Sequence, residues 1–69
     1  MKTGELLKYN GPESEFFKRD KLKLIAKTSV AVFPNVKYWL CTEIYKDGKV
    51  FNDIRYSEDY IMSRYTSEG

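Results

Sequence analysis

Polar and apolar residues alternate along the middle of the chain with the two-residue period of a β-strand. Between Lys21 and Phe33, lysines are interleaved with apolar residues such as Leu22 and Leu24, as expected for a strand with one buried face. Residues 18–27 are also long enough to form a helix, but the β-branched residues beyond them favour a long, bent strand or two strands that share a kink. We predict a strand here, and the helix stays open as the alternative.

The clearest unit that the pattern predicts is a β-hairpin. Residues 38–45 are rich in aromatic and β-branched side chains, and Asp47 and Gly48 form a typical two-residue hairpin loop before the chain returns over 50–56. Apolar pairs then fall on both faces, which indicates a strongly twisted pair of strands, as in a small barrel. The register that this loop implies pairs Tyr45 with Val50, Ile44 with Phe51, Cys41 with Ile54, Leu40 with Arg55 and Trp39 with Tyr56.

Shorter elements precede the hairpin. A first strand over 5–9 is predicted to end at Asn10-Gly11-Pro12, because Pro12 has no amide donor and Gly11 tolerates the backbone angles of a turn. A long polar loop follows over 13–20, and a second turn is predicted over 33–36.

The last part of the chain predicts a helical turn and a final strand. Ser57 is a typical N-cap residue followed by two acids, which favours a single helical turn over 57–60, and residues 61–65 can form a last short strand. The elements together predict an all-β domain over residues 1–65, with five strands, a long first loop and one helical turn before the last strand. Residues 66–69 are predicted to be a frayed tail.

The composition supports a packed core. The chain has 69 residues, of which 42% are hydrophobic and 16% aromatic, so aromatic side chains must supply much of the buried area. This composition argues against disorder. Twelve Lys and Arg residues against ten Asp and Glu residues give a net charge of +2, which does not identify a nucleic-acid binder as a strongly basic composition would.

The sequence carries few groups suited to catalysis or metal binding. It has no histidine and one cysteine, so histidine-dependent catalytic triads and tetrahedral zinc sites are not expected. Cys41 lies within a predicted strand, where a small core residue is the ordinary role of a free cysteine. We therefore expect no enzyme activity and no cofactor. We also expect no metal site, since the acids match no calcium-loop spacing. The acids considered are Asp47, Asp53, Glu58 and Asp59.

Cysteine usage and apolar run lengths bear on the cellular compartment. A single cysteine favours a reducing compartment, because small secreted domains usually carry two or more disulfides. The longest apolar stretch, Val30 to Phe33, is far too short to cross a bilayer. We expect a cytoplasmic protein without a membrane anchor.

Three short motifs lie in order along the chain. Leu6-Leu7-Lys8-Tyr9 is similar to the aliphatic and tyrosine signature of the first strand in SH3-like barrels. Tyr38-Trp39-Leu40-Cys41 resembles the aromatic pair, leucine and small core residue that begin the third strand. Ser57-Glu58-Asp59-Tyr60-Ile61 resembles the short helical turn with its tyrosine. The resemblance implies a small five-stranded SH3-like barrel that covers most of the chain.

The resemblance also implies a set of binding residues. In peptide-binding members of this family, the counterparts of Tyr9, Tyr38 or Trp39, and Tyr60 form an aromatic groove for polyproline peptides. This chain has no proline in the helical turn, and its long loop ends in two basic residues rather than in an acidic cluster. Recognition of proline peptides is therefore not expected.

Two functional hypotheses and a third alternative follow. The first is a non-catalytic protein-protein interaction module, similar to small accessory or inhibitor proteins of bacteria and phages that bind a host protein. Its predicted contact residues are Tyr9, Phe17, Tyr38, Trp39 and Tyr60.

The second is a nucleic-acid-binding barrel, in which a lysine strip contacts phosphates and an aromatic residue stacks on a base. That strip consists of Lys18, Arg19, Lys21, Lys23, Lys27 and Lys37. The third is a homodimer formed through the edge of the strand over 21–33.

Overall fold

One antiparallel sheet of five strands makes up most of the molecule. The computed structural model describes residues 1–13 and 18–67. The sheet has the order β4-β3-β2-β1-β5 and is not closed into a barrel. The elements are β1 (Leu6–Tyr9), β2 (Arg19–Val30), β3 (Phe33–Tyr45), β4 (Val50–Ser57), α1 (Glu58–Arg64) and β5 (Tyr65–Ser67). The prediction of an all-β fold is confirmed.

The long second strand has the predicted alternation. β2 is a continuous strand, so the strand prediction is confirmed and the helical alternative is wrong. Leu22 and Leu24 are fully buried while Lys23 between them is exposed, which is the burial pattern of a half-buried strand. Its pairing with β3 shifts register at three places, which are irregularities of the kind that bend a strand.

The turn between β2 and β3 lies earlier than predicted. Val30 pairs with Phe33, so the two-residue loop is Ala31-Val32 and the turn prediction over 33–36 is wrong. Thr28 pairs with Tyr38, which leaves residues 34–37 as extra residues of β3 opposite one residue of β2. This segment contains Pro34, which has no amide donor for a ladder and is tolerated in such an irregularity.

The hairpin of β3 and β4 has two registers. Far from the loop, the predicted pairs of Cys41 with Ile54, Leu40 with Arg55 and Trp39 with Tyr56 are confirmed. Near the loop, the predicted pairs of Tyr45 with Val50 and Ile44 with Phe51 are wrong, because Ile44 pairs with Val50 and Glu43 with Phe51.

The shape of the hairpin loop explains this one-residue shift. The loop holds three residues, Lys46 to Gly48, because the Tyr45 amide donates to the Lys49 carbonyl at 2.9 Å. Gly48 has φ of 90°, as expected of a type I turn closed by a glycine bulge. A bulge in β4 then restores the predicted register, and Asp53 within it has φ of 60°.

The helix before the last strand is longer than predicted. α1 spans Glu58–Arg64, so the strand prediction over 61–65 is wrong and β5 begins at Tyr65. The Ser57 hydroxyl accepts a hydrogen bond from the Tyr60 amide at 3.2 Å, as a helix N-cap does. The helix turns Ile61 into the core, where it is fully buried. β5 pairs with β1, with Thr66 opposite Lys8.

The inward face of the sheet and α1 enclose the core. The buried apolar residues are Leu7, Leu22, Leu24, Trp39, Cys41, Ile61 and Tyr65. Strand pairing places Leu7 beside Leu22, and Leu24 beside Cys41, on this face. The outward face carries the alternate residues of the strands, including Lys8, Lys21, Lys23, Leu40, Ile44 and Arg55. Within the described residues, no helix has the length and apolar character needed to cross a membrane.

Candidate functional site

A buried carboxylate lies at the centre of the molecule. Glu43 follows Trp39 and Cys41 at even spacing along β3, and it is 1% exposed. Its Oε2 atom accepts hydrogen bonds from the hydroxyl groups of Tyr56 at 2.9 Å and Tyr65 at 2.7 Å. A carboxylate can occupy an apolar core only when such donors and a counter-charge compensate its lost hydration.

Arg19 supplies the counter-charge and connects the core to the surface. Its Nε atom lies 3.7 Å from Oε1 of Glu43, and its side chain is 26% exposed. The Nη1 atom of the same guanidinium donates a hydrogen bond to the Tyr60 hydroxyl at 2.7 Å. Arg19 is the first residue of β2 and pairs with Tyr45 on β3, so two neighbouring strands hold the ion pair.

Burial and the Glu43 carboxylate shift the ionisation of the surrounding groups. Burial raises the pKa of the Tyr56 and Tyr65 hydroxyls, and their hydrogen bonds to the Glu43 carboxylate raise each pKa further. Burial opposes the charge of Arg19 and by itself would lower its pKa. The hydrogen bond between Arg19 and Tyr45, together with the attraction of the Glu43 carboxylate, outweighs burial and raises the pKa of Arg19. The neutral phenols and the charged guanidinium are therefore the forms that this site favours.

Four half-buried side chains form a connected group that we call the tyrosine–arginine cluster: Tyr9, Arg19, Tyr60 and Arg64. The Cζ atom of Arg19 lies 5.7 Å from the centre of the Tyr9 ring. The Cζ atom of Arg64 lies 5.9 Å from the centre of the Tyr60 ring. Both distances are typical of cation–π contacts. The cluster thus joins the end of β1, the start of β2 and both turns of α1.

The chain after β1 packs closely against this cluster. The Tyr9 hydroxyl donates a hydrogen bond to the Pro12 carbonyl at 2.6 Å, and the Asn10 amide donates to the Arg64 carbonyl at 2.7 Å. A Cβ atom on Gly11 would lie 2.6 Å from Cδ of Arg64 and 2.7 Å from the Tyr9 hydroxyl. Only glycine fits this position without displacing one of its neighbours.

The structure separates the five predicted partner-binding residues. Tyr9 and Tyr60 meet at Arg19 in the cluster. Trp39 lies in the core at 1% exposure, so its ring has little surface to offer a partner. Tyr38 lies elsewhere, in a groove of about 310 Å³ beside the irregular segment 34–37. Phe17 is outside the described residues.

Two polar side chains contact the buried ring of Trp39. Its indole Nε1 donates to Oε1 of Glu58 at 3.2 Å, and the Nζ atom of Lys27 lies 5.7 Å from the centre of the ring. Lys27, which was predicted to contact phosphates, thus covers an aromatic core residue.

The other residues of the predicted lysine strip do not form one continuous surface. Arg19 points inward to Glu43, whereas Lys21 and Lys23 lie on the outward face of the sheet with Lys8 and Arg55. Lys18 is exposed just before β2, and Lys37 lines the groove beside residues 34–37.

Cys41 is placed as a core residue. It is fully buried, its Sγ atom lies 3.3 Å from the Trp39 carbonyl, and burial raises the pKa of its thiol to about 11. A thiol with that pKa is protonated at neutral pH and is a weak nucleophile. In the described parts of the chain, no group of three or more His, Cys, Asp or Glu residues is placed to hold a metal ion.

The sequence pattern did not identify Glu43 or Arg64 as site residues. Glu43 occupies an inward position of the alternating pattern of β3, between Cys41 and Tyr45, which was a signal that a charged residue would be buried. Arg64 carried no such signal, because its place beside Tyr60 depends on a helix that was predicted to end before it.

No protein-family model, curated protein or solved structure was found to match this chain.

Proposed function

We propose that this chain is a non-catalytic protein-interaction module and that the tyrosine–arginine cluster is its binding surface. The observation that carries the proposal is that Tyr9 and Tyr60, which are far apart in the sequence, contact the same partly exposed guanidinium of Arg19. Tyrosine and arginine are the residue types that most often dominate the binding energy of protein interfaces.

The buried Glu43 carboxylate that pairs with Arg19 supports this proposal. Glu43 fixes Arg19 from the core side, and the hydroxyls of Tyr56 and Tyr65 fix Glu43. The ring of Tyr60 also packs against the ring of Tyr56 at 4.7 Å between centres. A surface held in this way loses little conformational entropy when a partner binds, which favours affinity.

We extend the proposal to the SH3-like barrel and to the type of protein and cellular compartment that the sequence predicts. The order of elements, with a long connection after β1, a helix before β5 and β5 paired with β1, supports an SH3-like barrel as the parent fold. We propose a cytoplasmic accessory or inhibitor protein, as in bacteria or phages, that binds a host protein.

Affinity capture with matched variants tests the proposed surface. Wild-type protein, Tyr60→Ala and Tyr38→Ala are immobilised at equal density, after circular dichroism shows that each is folded. We expect a protein that wild type and Tyr38→Ala retain in high salt to be lost from Tyr60→Ala, because only Tyr60 belongs to the cluster. A partner lost only from Tyr38→Ala would move the binding surface to the groove beside residues 34–37.

A second candidate function is nucleic-acid binding through the outward face of the sheet. Lys8, Lys21, Lys23 and Arg55 lie on this face, and its register-paired residues in the described strands include no Asp or Glu. Such a surface attracts phosphates through its basic side chains.

Fluorescence anisotropy with a labelled ten-nucleotide oligothymidylate distinguishes the two functions. Nucleic-acid binding through the outward face predicts an affinity that falls steeply with salt and weakens in Lys23→Gln but not in Arg64→Gln. The protein-interaction proposal predicts that neither variant changes a weak, non-specific affinity.

A further inference from the structure

Arg64 has no counter-charge among the residues that the structure describes. It is the last residue of α1, and its guanidinium lies over the ring of Tyr60. Within residues 1–13 and 18–67, no carboxylate forms an ion pair with it and no hydrogen bond joins its side chain to another group. An arginine guanidinium presents a planar fork of N–H donors that matches a carboxylate.

The other charges around Arg64 are already compensated or directed elsewhere. The Glu43 carboxylate neutralises Arg19 and is 1% exposed, so it cannot also reach a ligand at the surface. Glu58 accepts a hydrogen bond from Trp39, and Glu58 and Asp59 line a separate groove beside Lys37. Among the described residues, the tyrosine–arginine cluster therefore has a positive charge without a counter-charge, next to two half-buried aromatic rings.

We infer that the cluster recognises an acidic segment of a partner protein, in which an Asp or Glu carboxylate pairs with Arg64 while apolar atoms beside it contact Tyr9 and Tyr60. This inference rests on the proposed function and specifies the chemistry of the partner. Charge complementarity selects an acidic partner, and the neighbouring rings provide the apolar contact area that a protein segment needs.

A nucleic-acid backbone fits this cluster less well than an acidic protein segment. Binding to phosphates depends on several cations placed along a track, whereas the cluster offers one uncompensated guanidinium. The cations that could form such a track lie on the outward face of the sheet, at Lys8, Lys21 and Lys23.

Titration with two matched peptides, followed by NMR, tests the inference. The probes are the capped peptides Glu-Leu-Glu-Leu and Gln-Leu-Gln-Leu, added to isotope-labelled protein. We expect the glutamate peptide to shift the side-chain Nε–Hε resonance of Arg64 and the amide resonances of Tyr9 and Tyr60. We expect the Arg64→Gln variant to bind it about tenfold more weakly, as for loss of a charge-assisted hydrogen bond.

Lys23→Gln is the charge-matched control, because it removes one positive charge from the outward face. We expect it to change the affinity by less than about twofold, since exposed charges far from a ligand are screened by salt. Equal weakening in Lys23→Gln and Arg64→Gln would overturn the inference, because net charge rather than the cluster would then govern binding.

Two further outcomes separate this inference from the proposed function. If both peptides bind equally and Tyr60→Ala abolishes both affinities, the aromatic surface is a protein-binding site but is not selective for acids. If neither peptide shifts the cluster and the oligothymidylate shifts the amide resonances of Lys8, Lys21 and Lys23, the inference and the proposed function are both wrong, and nucleic-acid binding through the outward face replaces them.

Discussion

Glu43 is a charged residue placed where an alternating strand pattern puts a core residue. Two tyrosine hydroxyls and one guanidinium surround its carboxylate. Removing one partner from such a group leaves a buried charge with an unmade hydrogen bond, which costs more than the hydrogen bond itself contributes.

We therefore predict that Tyr65→Phe lowers the free energy of unfolding by about 2 kcal/mol, because Tyr65 is 4% exposed and its hydroxyl donates to Glu43. Urea denaturation measures the change. Tyr38→Phe is the matched control, since the Tyr38 hydroxyl has no hydrogen bond among the described residues. Equal stability of the two variants would show that the Tyr65 hydroxyl does not stabilise the carboxylate.

Gly11 allows the chain to pass close to the tyrosine–arginine cluster. A methyl group at this position would overlap Arg64 and the Tyr9 hydroxyl, and the latter is fixed by its hydrogen bond to Pro12. We predict that Gly11→Ala displaces Arg64 from the Tyr60 ring and destabilises the fold by about 1 kcal/mol.

The displacement is measured by the chemical shifts of the Arg64 side chain, and the stability by urea denaturation. The same variant should weaken binding of the glutamate peptide as Arg64→Gln does. An unchanged Arg64 resonance in Gly11→Ala would contradict this steric role of Gly11.

At the scale of elements, bulges decide which face of each strand is buried. Before the bulge in β4, Val50 pairs with Ile44 on the outward face and is 53% exposed, whereas Phe51 pairs with the buried Glu43 and is 46% exposed. Beyond the bulge, the strand returns to the register that places Ile54 opposite Cys41. The mixed apolar faces of the sequence therefore reflect a change of register along one strand.

Asp53 provides a test of this bulge. Its φ of 60° is in the left-handed region, which costs a non-glycine residue roughly 1 kcal/mol and a β-branched residue more. We predict that Asp53→Gly is neutral or stabilising by up to about 1 kcal/mol, and that Asp53→Val destabilises by about 2 kcal/mol. Thermal unfolding monitored by circular dichroism measures both, with Asn52→Gly as a control that should destabilise.

At the scale of the whole molecule, the buried network makes stability depend on alkaline pH. The pKa values of Tyr56 and Tyr65 are raised above their ordinary value of 10.0, first by burial and then by Glu43. Since the folded state favours the neutral phenols, their contribution to stability is complete below pH 10 and is lost as the unfolded chain ionises above it.

We predict that the free energy of unfolding falls between pH 9 and pH 11, with Tyr65 contributing about 1.4 kcal/mol for each pH unit above 10. Urea denaturation across this range measures the slope. Tyr65→Phe should show a shallower slope, because it removes one of the ionising groups. Equal slopes would mean that the Tyr65 hydroxyl has an ordinary pKa in the folded protein.

The sequence by itself determined the features that depend on local pattern. Alternation placed Leu22 and Leu24 in the core and predicted β2 as a strand, and the aspartate–glycine pair located the second hairpin. These features follow from side-chain direction and turn chemistry, which neighbouring residues fix without reference to the rest of the chain.

Only the tertiary structure decided the registers near the bulges, the length of α1 and the site itself. Ile61 favours the helical state because helical geometry turns it into the core, and no local signal contained that contact. Arg19, Glu43, Tyr60 and Tyr65 come from four different elements, and their pairing depends on strand order and register. Contacts between residues so distant in sequence are set by the packing of the whole sheet, so the tyrosine–arginine cluster became visible only in the folded molecule.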